Sequence, residues 1–516
     1  MRQVVSYPWA ERRSEASSVI ARWGVRLSRT IGSGAGRVPA RRPHFRLLVV
    51  AGLGSLTAGC LSADPPPPNL EIPGRYREAG KGADAARPHA GWWRAFRSAE
   101  LSRLIEDARA DNLDIAAAVA RIRQADAQSR IARAALLPTL DGGADASRSR
   151  RAGLTTGHVG KGNNLHSLTL NASFELDFWG KNQAALDAAR DTGLANRYDR
   201  ETVELTAIAS AATTYFELLG AQDRLRIARE NVENASRVLG IIQQRLNAGT
   251  ATALDLAEQQ SLLAQQRASI PPLEQTIGQN RATLAVLVGR PPASVTVVGG
   301  STDRVGIPRI SPGLPADLLN QRPDIRFAEA TLAAANANVV NARAQFFPTI
   351  TLTGQGGLES QALKSLFEPS STFYSIAAGL TQPIFEGGRL HGQFDQAKGV
   401  EEEALANYRK AVISAFSDVE SALVAVRQLS RQEALQRDVV KSARTAYELS
   451  EKQLREGTVD LTTVLTNQNT LFQAQNSLVL VRVSRLQAVV SLYQALGGGW
   501  EAPDAAVTAD VAAGVK

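Results

Sequence analysis

Residues 168–180 read LTLNASFELDFWG. Leu168, Leu170, Ala172, Phe174, Leu176 and Phe178 are apolar, and Thr169, Asn171, Ser173, Glu175 and Asp177 between them are polar. Period-two alternation of this kind predicts a β-strand with one apolar and one polar face. The chain that follows is helical in pattern and holds no proline until Pro271. A long two-faced strand in a mainly helical protein needs something to cover its apolar face. Three further stretches share the alternation, so strands are expected near 139–147 (TLDGGADAS, the weakest), 168–179, 349–355 (TITLTGQ) and 372–385 (TFYSIAAGLTQPIF).

These strands fall at matching places in a duplicated chain. DIAAAVARIRQADAQSRIARAALLPTL (114–140) aligns without a gap to DIRFAEATLAAANANVVNARAQFFPTI (324–350), with 11 of 27 positions identical, Pro138 and Pro348 among them. RLNAGT (245–250) likewise matches QLREGT (453–458). Each half reads as a helix ending at a proline, two strands, then two long helices joined at a glycine. The segment 182–246 would run roughly 90–100 Å if breaks at Gly193 and Gly220 are small. Leu461, Val464, Leu465, Leu471, Phe472, Leu478, Leu486, Val489 and Leu492 form a loose heptad-like stripe that suggests coiled-coil packing. Opposite it the helices carry amides more than charges: Gln259, Gln260, Gln265 and Gln266 in one half, Asn467, Gln468, Asn469, Gln473 and Asn476 in the other. They read either as a solvated face or as the wall of a water-filled conduit.

Formal charge is +8, which raises nucleic acid or an anionic membrane as a partner. Its distribution answers the point. Residues 1–59 hold ten Arg, no Lys and two Glu, and the remainder balances 48 basic against 48 acidic residues. A nucleic-acid partner is not expected. Arg41, Arg42 and Arg46 lead into LLVVAGLGSLTAG (47–59), too short to span a bilayer and typical of a secretion signal. It ends at Cys60, the single cysteine. LTAGC resembles a lipobox, although Leu56 stands one residue further from the cysteine than is usual; the alternative is a buried free thiol behind an ordinary signal. Leu61, rather than Asp, directs an acylated chain to the outer membrane under the bacterial sorting rule. The long basic stretch before the signal suggests an over-extended start, with initiation near Val38. DPPPPN (64–69) reads as a stiff spacer. The expected division is 1–59 signal, 60–91 lipid anchor and linker, 92–305 first repeat, 306–499 second repeat and 500–516 tail.

Strands of this length match a transmembrane β-strand, apolar face to lipid and polar face to a lumen. Four strands cannot close a barrel, and an open sheet edge is not tolerated in lipid. Other copies must therefore complete the sheet. Two copies would give eight strands with a filled interior and three would give twelve with room for a lumen. The competing arrangement is a soluble sandwich with apolar faces packed together.

PADLLNQRPDIRFAEATLAAANANVVNARAQFFPTITLTG (315–354), RLNAGT, QLREGT and TQPIFEGGR (381–389) together resemble the TolC-like outer-membrane efflux proteins, in particular the NodT-type lipoprotein branch. The resemblance runs from Trp92 to Gly499. It implies a mainly α protein with a membrane β-barrel portion: a homotrimer with four strands per chain in one shared twelve-stranded barrel, continued by a long helical barrel through the periplasm. It implies a periplasmic adaptor protein and an inner-membrane RND-type pump as partners, and a passive duct exporting small molecules, drugs or other toxic compounds. Adaptor contacts in the family lie at the periplasmic tips, which match Arg245, Leu246, Gly249 and Thr250, and Leu454, Gly457 and Thr458. The resting gate matches Asp255; Thr463 and Thr466 stand where the second repeat usually carries acids. A solvated Asp255 in the first turn of a helix is the simpler reading. Arg322, Pro323 and Asp324 read as a structural helix start, as Pro138 and Pro348 read as helix ends. Cys60 is the lipidation site. Trp92 and Trp93 are either interfacial anchors or packing for the equatorial helices.

An enzyme is not expected. The five His residues at 44, 89, 158, 166 and 391 are scattered, and no P-loop, GxSxG or Cys pair occurs. No metal and no cofactor are expected. Two alternatives stay open: the duct of a type I protein-secretion system, and a lipid-anchored coiled-coil protein without a pore.

Overall fold

The computed structural model describes residues 70–78, 89–150, 162–310, 312–498 and 500. The leader, Cys60, the spacer 64–69, His158 and the tail beyond Trp500 lie outside the described residues.

Two halves repeat one order of elements. The first runs α1 (Ala99–Asp111), α2 (Leu113–Ala134), β1 (Thr139–Ser149), β2 (Asn163–Leu176), α3 (Lys181–Asn247), α4 (Ala253–Ala268) and α5 (Ile270–Leu287). The second runs α6 (Pro323–Ala344), β3 (Thr349–Ser360), β4 (Thr372–Thr381), α7 (Arg389–Glu456) and α8 (Leu461–Ala495). The helix starts follow local chemistry. The Ser98 hydroxyl accepts the Leu101 N–H, and the Asn112 side chain accepts those of Asp114 and Ile115, so donors that a helix start leaves unpaired are satisfied. At 67 and 68 residues, α3 and α7 each run about 100 Å.

Gly193 and Gly220 do not break α3. Gly220 is instead a point of close approach: a Cβ there would lie 2.4 Å from the Val483 side chain on α8. The break comes in the returning helix, where Ser269 separates α4 from α5 and prolines occupy the first turn of α5. Proline is tolerated there because the first-turn N–H has no partner to lose.

Two strand ends differ from expectation. β2 starts at Asn163 and stops at Leu176, because Asp177 serves the next helix. Its carboxylate accepts the backbone N–H groups of Asn182 (3.0 Å) and Gln183 (2.7 Å), while Gly180, with φ +74°, turns the chain. β4 stops at Thr381 rather than Phe385; Pro383 cannot donate to a ladder.

The four strands form one antiparallel sheet in the order β1–β2–β3–β4. The β2–β3 seam joins the two halves. The core lies elsewhere, among the helices. Trp92, Trp93 and Phe96 are buried against Phe216, Leu219 and Tyr493, with Trp92 stacked on Tyr493 at 4.7 Å. That settles both tryptophans as core packing. A second cluster gathers Tyr76, Leu318, Ile325, Tyr408 and Val412. A third, near the helix tips, gathers Val238, Ile242, Tyr447, Leu454, Val464 and Leu471.

The amides do not share one face. Gln260 and Gln265 are exposed, whereas Gln259, Gln266 and Gln468 are buried between helices. Gln259 donates to the Ala235 carbonyl at 2.8 Å. A continuous amide wall is therefore not what these residues build.

Candidate functional site

The sheet register sorts most of the alternating residues by face, Phe373 on the polar side being an exception. Leu140, Ala172, Gly354 and Ile376 are aligned on one face, followed by Gly142, Leu170, Gly356 and Tyr374. The neighbouring row on the other face is Asp141, Asn171, Gln355 and Ser375. Nothing among the described residues covers the apolar face: Tyr374 and Ile376 are both 83% exposed. No second sheet among the described residues packs on it, so the soluble sandwich is not formed. Such a sheet suits lipid on one side and water on the other. No helix among the described residues is long and apolar enough to cross a membrane.

Where the strands meet the helices, aromatic residues collect. Trp179 stacks on Phe347 at 4.9 Å and donates its indole N–H to the Pro348 carbonyl at 2.8 Å. Phe178 packs edge-on against Trp179 and is itself exposed, as are Ile384 and Phe385. Aromatic residues of this kind belong at the headgroup level of a bilayer. Sequence reading assigned Phe178 to the strand and missed the collar, because its members come from separate turns.

At the far end of the long helices stand the tips. In the first, the Gly249 N–H bonds the Leu246 carbonyl (2.9 Å) and the Thr250 N–H the Arg245 carbonyl (2.8 Å). Gly457 and Thr458 repeat this on Leu454 and Gln453. Both glycines are left-handed, at φ +75° and +76°, the helix-ending conformation glycine adopts without strain. The Arg245 guanidinium donates to the Leu454 carbonyl at 3.0 Å, so the structure ties the two tips of one chain together.

Asp255 sits in a capping box. Its carboxylate accepts the Thr252 N–H (2.7 Å) and hydroxyl (2.8 Å), and its own N–H donates to the Thr252 hydroxyl (3.1 Å). Those bonds from Thr252 hold the Asp255 carboxyl below its ordinary range. In the second tip Asp460 caps α8, accepting the N–H and hydroxyl of Thr463. The Thr466 hydroxyl bonds its own helix at the Thr462 carbonyl. Within one chain, the three gate candidates are engaged locally.

Arg322 is buried. It forks onto Asp324 (3.0 and 2.7 Å) and reaches Asp418 (3.1 Å) and the Ala495 carbonyl (3.1 Å). It thus pins the start of α6 to α7 and to the end of α8. Pro138 and Pro348 stand immediately before β1 and β3. A second charged knot had no counterpart in the sequence reading. Glu433, 1% exposed, accepts from Arg482 (2.7 Å), Arg485 (2.8 Å) and Arg437 (2.6 Å). Arg482 also donates to the Thr302 carbonyl, fixing the connector between the halves. Among the described residues, no group of His, Cys, Asp or Glu is placed to hold a metal.

Long helices that continue from a sheet with one apolar and one polar face suit a membrane duct. The model of the family described as outer membrane efflux protein matches residues 104–290 and 314–498, and the chain belongs to that family. It is 40% identical over 449 residues to the pyoverdine export outer membrane protein OpmQ of Pseudomonas putida, covering 86% of this chain and 95% of the relative. It is 34% identical over 412 residues to the toluene efflux pump outer membrane protein TtgF of Pseudomonas putida, covering 80% and 85%. The CmeC outer membrane channel of Campylobacter jejuni superposes with a TM-score of 0.81 at 25% identity, over 87% of this chain and 98% of that one. The protein is therefore an outer-membrane efflux duct, a passive conduit and not an enzyme.

Proposed function

We propose that three copies of this chain share one barrel and serve as the exit duct of a tripartite efflux system for small molecules. The carrying observation is the four-stranded sheet, which among the described residues has an uncovered apolar face and two unpaired edges that lipid and further copies would satisfy. A periplasmic adaptor reads the tips around Arg245, Leu246, Gly249, Thr250, Leu454, Gly457 and Thr458, and an RND-type inner-membrane pump supplies the energy. Asp255, Thr463 and Thr466 line the resting periplasmic opening. The NodT-type sequence and LTAGC support acylation of Cys60 as an additional anchor. Residues 92–305 and 306–499 act as two repeats of one plan. Relatives named for pyoverdine export and for toluene efflux favour small-molecule cargo over the protein cargo of a type I system.

The first test is the native mass of the mature protein extracted from outer membranes in mild detergent. A trimer is expected, and a stable monomer would sink the shared-barrel reading. In cells, Gly457→Val is expected to abolish efflux while trimers still form; normal drug tolerance in that strain would remove the adaptor role of the tip.

A further inference from the structure

Resting on the trimeric duct reading, the two halves of the sheet also fix which residues meet between copies. Thr139 pairs with Ser173 in the first hairpin and Thr349 with Thr381 in the second. Thr139 and Thr349 follow the matching prolines Pro138 and Pro348, so Ser173 corresponds to Thr381. Gly180 and Gly388, the left-handed glycines that open α3 and α7, fall in the same correspondence. The β2–β3 seam within the chain can then be carried across to the open edges. Asn171 opposite Gln355 becomes Gly379 opposite Asp145, and Leu176 opposite Ile350 becomes Ile384 opposite Leu140.

We propose that β4 of one copy pairs antiparallel with β1 of the next in this register, Gly379 facing Asp145 and Ile384 facing Leu140. Face parity supports it. Leu380 falls opposite Ala144 on the apolar side and Gly379 opposite Asp145 on the polar side, whereas a one-residue slip would mix the faces. Exposure supports it as well: Ile384 is 95% and Leu140 69% exposed in the single chain. So does strand length. β2 pairs with β1 only as far as Ser173, yet continues to Leu176 on β3 alone. β4 pairs with β3 only as far as Thr381, so Gln382 and Ile384, on either side of Pro383, have no strand partner among the described residues and would extend the pairing only onto another copy.

The test uses full-length protein in outer membranes, carrying Gly379→Cys together with Asp145→Cys, oxidised mildly and run on denaturing gels without reductant. Covalent trimers are expected, with each single variant staying uncrosslinked as a control for Cys60. Gly379→Cys with Gly143→Cys or with Ser147→Cys, two residues off on the same face, should give about ten-fold less product, because diagonal neighbours lie outside disulfide reach. A dominant shifted pair would overturn the register. Absence of all crosslinks in a protein of trimeric native mass would overturn it too and leave the duct reading standing. Absence of crosslinks with a monomeric native mass would remove both.

Discussion

Single residues carry charge where the helix pattern shows only surface. Glu433 and Arg482 occupy ordinary helical positions in the sequence, yet Glu433 is enclosed by three guanidinium groups. Periodicity reports which face is apolar, and says nothing of a carboxylate buried beside its counter-charges. Burial pushes the Glu433 carboxyl up, but hydrogen bonds from Arg485 and Arg482 outweigh it and hold the group below the ordinary range. A folded value below the unfolded one adds stability above the ordinary Glu value, about 4.3, and loses it as pH falls through the folded value. Glu433→Gln should therefore cost about 3 kcal/mol at neutral pH by stranding the arginines. Its melting temperature should also fall less steeply than that of the parent below about pH 4. Thermal unfolding of the detergent-solubilised protein at both pH values checks this, and parallel pH profiles would contradict it. Arg322→Lys is the companion case: it keeps the charge and loses the fork onto Asp324. It should lower the melting temperature, because lysine offers a point charge in place of two parallel donors.

Elements were legible in proportion to how locally they are determined. The alternation at 168–176 and the prolines at 138 and 348 placed strands and helix ends. Strand limits were less legible, because Asp177 and Phe178 continue the alternation while serving a helix cap and an aromatic collar. The split between α4 and α5 was available in Pro271 and Pro272 but was passed over as the end of a proline-free run. The tips were found by their glycines, whereas the Arg245 tie to the Leu454 carbonyl joins residues far apart in sequence and left no local mark. Thr252→Ala should weaken the first turn of α4 by about 1 kcal/mol. Hydrogen exchange at residues 253–256 should then quicken while the end of α3 is unchanged; unaltered exchange would refute the capping role. A side chain at Gly457 meets open space. Substitution there is opposed by its left-handed backbone alone, at a cost of roughly 1–2 kcal/mol, which the rest of a helix as long as α7 can absorb.

At the scale of the whole molecule, the sheet faces decide what surroundings the protein accepts. Leu170 and Asn171 are neighbours pointing to opposite sides. Leu170→Arg, facing lipid, should cost about 2–4 kcal/mol near mid-membrane and reduce the protein recovered in outer membranes. Asn171→Arg, facing the lumen, should be recovered near parental levels; equal losses would mean that the faces are misassigned. The two halves share a plan without being copies. The first returns from its tip through a helix divided at Ser269 and capped by Thr252, the second through the unbroken α8 capped by Asp460. In the proposed trimer, six hairpins would therefore alternate between two kinds around the ring. A ring of identical adaptor molecules seated one per hairpin would occupy two inequivalent sets of three places, so its stoichiometry of filling would be three and then three, with two affinities in place of one.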